Sequence, residues 1–239
     1  MPDPLASPDT APAADPPRPR PGARPSWETV LFDLDGTLAD TIPLIIASYQ
    51  HAFREVLGVE VDEVAARSWI GRPLLAALLE EAPEHGYELD RVYRDWNLAN
   101  TERLIRAYAG IPELLADLDV AGARTAVVTS KRRETAVLAL QHVGIAERIE
   151  VVAGLEDTTE HKPDPAPLRH GARVLGVDPA TCVYVGDATV DIIAARGAGM
   201  AAVAVTWGAG TRADLAALEP DGLCESVAEL AELLLPRPV

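Results

Sequence analysis

Apolar residues first gather in a short run, Val30-Leu31-Phe32, which gives way to polar residues and Gly36. A run this short, bounded by a glycine, predicts a buried strand. Four later runs share that character: residues 125–129, residues 149–153, Cys182–Gly186 and Ala201–Val205. Between them the apolar spacing switches to the helical period. Pro112 followed by Leu114, Leu115 and Leu118 opens one helix, which Gly122 stops. Residues 134–143 form a second ahead of Gly144, and Asp164-Pro165 supplies a cap and a first-turn proline for a third ending near Gly176. Strands alternating with helices at this spacing predict an α/β fold built on a parallel, doubly wound sheet.

One stretch breaks the alternation. From residue 41 to residue 108 only the helical period is found. Ile42, Ile45, Tyr49, Phe53 and Val56 form one stripe, and Leu74, Leu75, Leu78 and Leu79 another. Leu89, Val92, Tyr93 and Trp96, then Leu104 and Tyr108, form a third. This is too much helix for one crossover between parallel strands, and it predicts an all-helical insert after the first strand. The expected organisation is an α/β core from residues 27–40 and 109–239, with the insert at 41–108. Residues 1–26 are rich in Pro, Ala, Asp and Arg with almost no large apolar side chain, so a disordered tail is expected there.

Composition narrows the partners. The hydrophobic share of 48% over 239 residues suffices for a sizeable core. The net charge of −16 argues against a nucleic-acid partner, whose phosphates are bound by clustered Lys and Arg. An anionic substrate gains nothing from that global field, so any phosphate site must be built locally. Cys182 and Cys224 make no disulfide framework and are expected to be inert thiols. No apolar run reaches the length of a membrane span, and the N-terminus has no apolar signal core, so a cytoplasmic location and no membrane partner are expected. Oligomeric state, monomer or homodimer, is not readable from the chain.

In doubly wound sheets ligands bind at the carboxyl ends of the strands. The first predicted strand ends in Asp33-Leu34-Asp35-Gly36-Thr37, the second in Thr129-Ser130-Lys131, and the fourth in Gly186-Asp187 with Asp191 four residues on. Lys162 lies after the third, in His161-Lys162-Pro163-Asp164-Pro165. Each feature alone has an ordinary reading as a turn former, helix cap or solvated charge; their convergence on one edge points to a site. An aspartate can attack phosphorus and carry it covalently, while a neighbouring carboxyl protonates the leaving oxygen and later deprotonates water. Asp33 and Asp35 suit those two tasks. Asp33, Asp187 and Asp191 would repel one another unless a cation joined them, and hard oxygen ligands suit magnesium. Thr129 and Ser130 can hold phosphate oxygens with hydroxyls and backbone N–H groups, and Lys162 offers a point charge to the transferred group.

These segments resemble the haloacid dehalogenase-like hydrolase superfamily. The matching residues are Phe32-Asp33-Leu34-Asp35-Gly36-Thr37-Leu38, Val127-Val128-Thr129-Ser130, Lys162-Pro163-Asp164-Pro165 and Gly186-Asp187-Ala188-Thr189-Val190-Asp191-Ile192, in the family's order. The resemblance implies a Rossmann-like core, Mg2+ as cofactor, and an aspartyl-phosphate on Asp33. It also implies a small phosphorylated metabolite as substrate. It makes Asp33 nucleophile and metal ligand, and Asp35 the general acid/base that also offers its backbone carbonyl to the metal. Asp187 becomes a ligand, Asp191 direct or indirect support for the metal, and Thr129 or Ser130 with Lys162 the phosphate cradle. The insert resembles the family's helical cap, which closes over the site and selects the substrate. Dehalogenases of the superfamily lack an acid at the position of Asp35, so its presence points to phosphoryl transfer. Sugar-phosphate mutases share all four motifs and stay open as an alternative. A phosphate-sensing regulator would have lost Asp33, Asp35 or Lys162, and none is lost. A phospho-acceptor receiver domain would carry its aspartate on the third strand, which here ends in Ala153-Gly154.

Within the phosphatases the likeness is to the phosphoglycolate phosphatase and inorganic pyrophosphatase subgroup. It rests on Ile70-Gly71 with Leu74, on Glu160 to Pro165, and on Val205-Thr206-Trp207-Gly208. The subgroup often has Asn or Lys after its second-motif threonine, where this chain has Ser130 and then Lys131. Arg72 is the candidate cap contact for a substrate carboxylate or second phosphate, the alternative being a solvated arginine at a helix start. His51 and His85 have no partner in sequence and are given no catalytic part. Trp69 and Trp96 are read as cap core.

Overall fold

A computed structural model describes residues 27–235, and the expected tail at 1–26 lies outside the described residues. The chain opens with β1 (Thr29–Phe32) and a two-residue strand β2 (Ala39–Asp40). Four helices follow: α1 (Ile42–Leu57), α2 (Glu63–Ser68), α3 (Leu74–Glu81) and α4 (Gly86–Leu104). Strand β3 (Arg106–Ala107) brings the chain back by pairing antiparallel with β2. Then come α5 (Ile111–Val120), β4 (Arg124–Val128), α6 (Arg133–His142), β5 (Glu150–Ala153), α7 (Ala166–Leu175) and β6 (Cys182–Gly186). The chain ends in α8 (Thr189–Ala198), β7 (Ala201–Val205), α9 (Arg212–Ala217), β8 (Gly222–Cys224) and α10 (Val227–Leu234).

The large sheet has the order β5-β4-β1-β6-β7-β8, and all its pairings are parallel. Leaving β1, the chain builds first toward β4 and β5, then returns to the other side of β1 with β6. That reversal opens a crevice at the carboxyl ends of β1, β4 and β6. Both faces are covered, which is why the strands read as continuous apolar runs. Val30 and Phe32 of β1 join Leu114, Leu118, Leu140 and Leu230 on one face. Leu31 joins Leu168, Ala172, Ile192 and Leu215 on the other. The architecture is therefore α/β and doubly wound, as the alternation predicted.

The four inserted helices bury a core of their own. Tyr49 lies at its centre, with its ring edge-on to Trp69 at 5.0 Å and to Tyr93 at 4.8 Å. Phe53 stacks on Trp69 at 5.3 Å, and the Trp69 indole N–H donates to Glu81 at 3.0 Å. Such aromatic pairs add about 0.5–1.5 kcal/mol each beyond their buried area. Two readings of the helical stripe are corrected. Tyr108 lies beyond α4 and packs on the sheet-side core, its ring 6.1 Å from Trp207. Trp96 likewise packs against the sheet-side core, not the aromatic one, and stacks on His51 at 5.5 Å. The period continued through Leu104, but a β-bonded pair at Arg106–Ala107 ends the helix before Tyr108.

Candidate active site

The backbone of β1 continues one residue past the strand: the Asp33 N–H donates to the Val185 carbonyl at 2.9 Å, so Asp33 stands beside the end of β6. The chain then turns sharply at Gly36, whose φ of 79° lies in the left-handed region. A Cβ there would also run into the Asp187 carboxylate. This turn brings Thr37 back under Asp187, and its hydroxyl donates to Asp187 Oδ1 at 2.9 Å. The other Asp187 oxygen accepts from the Ala209 N–H at 2.6 Å. Asp191, in the first turn of α8, accepts from the Ala188 N–H at 2.9 Å and from the Lys162 ammonium at 2.6 Å.

Asp33, Asp187 and Asp191 bring one oxygen each within 4.8 Å of one another, and all three are buried. Burial pushes the Asp33 carboxyl up to about 6; the ammonium of Lys162 pulls it down, and the charges of Asp191 and Asp35 add to the rise. Burial, then the charges of Asp191 and Asp33, push Asp187 well above the usual carboxylate range. Lys162 is only 2% exposed, a depth at which lysine is almost never found unpaired. Burial opposes its charge, but Asp191 and Asp33 override that and hold its pKa well above the ordinary lysine value. Its ammonium is 3.1 Å from Asp33 Oδ1 without hydrogen-bond alignment, so that buried oxygen has no hydrogen-bond partner among the described residues. An acceptor left open beside two more buried carboxylates fits a hard dication such as magnesium. Asp33 and Asp187 are the natural holders. Asp191 is already paired with a cation, the Lys162 ammonium, whereas the Asp187 oxygens accept only from a hydroxyl and a main-chain N–H; this suits Asp191 to support of Lys162 and of the metal's surroundings.

Thr129 directly follows β4, its N–H donating to Ala153 O at 2.9 Å and its hydroxyl accepting from the Lys131 N–H at 3.2 Å. The Ser130 hydroxyl points the other way, donating to the Gly71 carbonyl of the insert at 3.0 Å. Arg67 of α2 adds a second tie, donating to Gly208 O at 3.1 Å. The insert therefore sits on the site and encloses a cavity of about 230 Å³ lined by Asp33, Asp35, Arg72, Tyr93 and Lys131. Arg72 does line it, and its guanidinium is paired with Glu80.

Two residues were not assigned from the sequence. The Tyr184 hydroxyl, buried in β6, accepts from the Lys162 ammonium at 3.0 Å and donates to Val128 O at 2.7 Å. A tyrosine two residues before Gly186-Asp187 in an otherwise apolar strand was the available signal, since a buried phenol needs a partner. Lys131 places its ammonium 3.0 and 3.1 Å from the two oxygens of Asp35.

A family model described as haloacid dehalogenase-like hydrolase matches residues 30–205. The chain is 34% identical over 204 residues to pyrophosphatase PpaX of Bacillus velezensis, covering 85% of this chain and 94% of that one. It is 33% identical over 206 residues to pyrophosphatase PpaX of Halalkalibacterium halodurans, covering 86% and 96%. Among solved structures, a predicted phosphoglycolate phosphatase from Haemophilus somnus superposes with a TM-score of 0.78 at 28% identity, covering 87% and 97%. Among the described residues no helix is long and apolar enough to cross a membrane. The chain belongs to the haloacid dehalogenase-like hydrolase family.

Proposed function

We propose that the protein is a magnesium-dependent phosphatase for a small phosphorylated metabolite with an anionic leaving group, of the pyrophosphate or phosphoglycolate kind. The observation that carries this reading is Asp33 Oδ1, a buried carboxylate oxygen without a hydrogen-bond partner, facing Lys162 and flanked by Asp187 and Asp191. Family membership and the pyrophosphatase relatives support the reaction class.

Asp33 attacks phosphorus: an Asp33 O–P bond forms as the bond to the leaving oxygen breaks, and that oxygen takes a proton from Asp35. A water then attacks the aspartyl-phosphate, gives its proton to Asp35, and releases phosphate with Asp33 restored. Lys162 and the Thr129 hydroxyl and backbone hold the transferred oxygens, and the preorganised ammonium needs no reorientation as charge builds. A bound Mg2+, held by Asp33, Asp187 and the Asp35 carbonyl with Asp191 behind, would neutralise the crowded carboxylates and polarise the phosphoryl group. The helical insert acts as the cap that excludes water and admits the leaving group, with Arg72 at its edge. The mutase alternative would need a second substrate hydroxyl in place of water, and no observation favours it.

The test is Asp33→Asn. Turnover of pyrophosphate and phosphoglycolate in saturating magnesium should fall by at least about a hundredfold, an added barrier of roughly 3 kcal/mol. Circular dichroism should be unchanged. A purified Asp33→Asn enzyme that kept more than a few per cent of wild-type activity would refute the nucleophile assignment.

A further inference from the structure

Three cations of the cavity wall have carboxylate partners, and the partners differ in kind. Arg72 is paired with Glu80 inside the insert, and Arg94 grips both oxygens of Asp90 at 2.7 and 2.8 Å one turn away on α4. Those two partners have no part in the reaction. Lys131 is different: its partner on both oxygens is Asp35, the group that must turn to the leaving oxygen. The ion pair is largely sheltered, each side chain 16% exposed. The main chain of Lys131 is anchored, its N–H on the Thr129 hydroxyl at 3.2 Å and its carbonyl accepting from Leu155 N–H at 2.9 Å. The base of the side chain is thus fixed while the four-carbon stem can swing the ammonium, a compact charge with three rotatable donors.

We propose that Lys131 is the residue that selects anionic leaving groups, by passing its ammonium from Asp35 to the leaving group's second anion. This rests on the phosphatase reading above. Asp35 serves the leaving oxygen, so a distal phosphate or carboxylate a few bonds beyond that oxygen comes to lie beside Asp35, within the sweep of Lys131. Such an anion draws the ammonium off one Asp35 oxygen and leaves that oxygen free to carry the proton that passes to the leaving oxygen. A neutral leaving group offers no replacement, and Lys131 stays lodged on both oxygens. Selection is then exerted from the core, at the residue next to Ser130, while Arg72 remains tied within the cap.

The experiment compares wild type, Lys131→Gln and Lys131→Arg on pyrophosphate, phosphoglycolate and glycerol phosphate in saturating magnesium. Inhibition by methylenediphosphonate and by orthophosphate is measured alongside. For Lys131→Gln, the ratio of kcat/KM on the two anionic substrates to that on glycerol phosphate should fall roughly tenfold or more, the size expected for one lost charge-assisted contact. The inhibition constant of methylenediphosphonate should weaken by a similar factor while that of orthophosphate moves far less, and Lys131→Arg should recover much of both ratios. If Lys131→Gln lowers all three substrates equally and leaves the inhibitor ratio unchanged, Lys131 merely props Asp35 and the proposal is overturned while the phosphatase reading stands. A wild-type enzyme that cleaves none of the three overturns both.

Discussion

Tyr184 stands in the middle of β6 with its hydroxyl between two groups from other segments, the Lys162 ammonium and the Val128 carbonyl. It touches no substrate, yet it couples the loop that carries Lys162 to the strand that ends at Thr129. Tyr184→Phe keeps the ring and removes both hydrogen bonds, leaving a buried acceptor without this donor. The variant should lose about 1–3 kcal/mol of stability in chemical denaturation, with kcat lowered on every substrate alike if Lys162 acts on the transferred group as proposed. Unchanged stability would mean the hydroxyl is dispensable. Asp33 and Asp187 stood out in the sequence because polar side chains at the ends of apolar strands have few structural reasons to be there, and Lys162 because of its loop segment His161-Lys162-Pro163-Asp164-Pro165. Tyr184 did not, because it lies inside the apolar run and its partners are 22 and 56 residues away. Ser130 shows the opposite difficulty: the sequence offers its hydroxyl to phosphate, whereas the folded chain turns it toward the Gly71 carbonyl.

At the scale of elements, the strands that build the site were readable and those that frame it were not. β1, β4, β5, β6 and β7 are runs buried on both faces, and their composition alone marks them. β8 spans three residues at the sheet edge, and β2 and β3 span two each, too short for any period to show. These short pieces still matter, because the β2–β3 pair is where the chain leaves and re-enters the core. The loop after β7 matters as well. Its Ala209 N–H holds Asp187, and Gly208 lies so close that a Cβ would occupy the space of the Asp187 carboxylate. Gly208→Ala must therefore displace either the loop or the Asp187 carboxylate. Its expected cost is about 1–3 kcal/mol in urea denaturation without metal, together with a smaller stabilisation by magnesium than in wild type. A variant with wild-type stability and wild-type magnesium response would show that the loop yields freely.

Over the whole molecule the net charge is −16, and among the described residues folding draws the buried carboxylates of Asp33, Asp187 and Asp191 within 4.8 Å of one another. In metal-free protein this crowding carries a definite pH signature. The native state binds a proton at Asp33 near pH 6, whereas an unperturbed aspartate does so only at 3.8, and Asp187 is displaced in the same direction. A carboxyl with a raised native pKa takes up its proton on folding, so it favours the native state more as pH falls through the native value. For Asp33 the full effect is on the order of 3 kcal/mol. Lys162, held well above the ordinary lysine value, contributes its stabilisation unchanged at any pH below 10.5. Asp157, whose pKa is lowered, loses its contribution only below 3.8. Between pH 8 and pH 5 the Tm measured in EDTA should therefore rise as pH falls, with little slope at pH 8 and a slope that grows as pH drops through and below 6. On the proposed function magnesium and protons compete for the same carboxylates, so the gain in Tm on adding magnesium should be largest at pH 8 and shrink through pH 6. Asp33→Asn should raise the metal-free Tm at pH 8 and flatten the slope, because it removes one buried negative charge without removing the fold. Scanning calorimetry at several pH values, with EDTA and with magnesium, measures all three quantities. A magnesium gain that is the same at pH 5 and pH 8 would mean that the ion does not bind at these carboxylates.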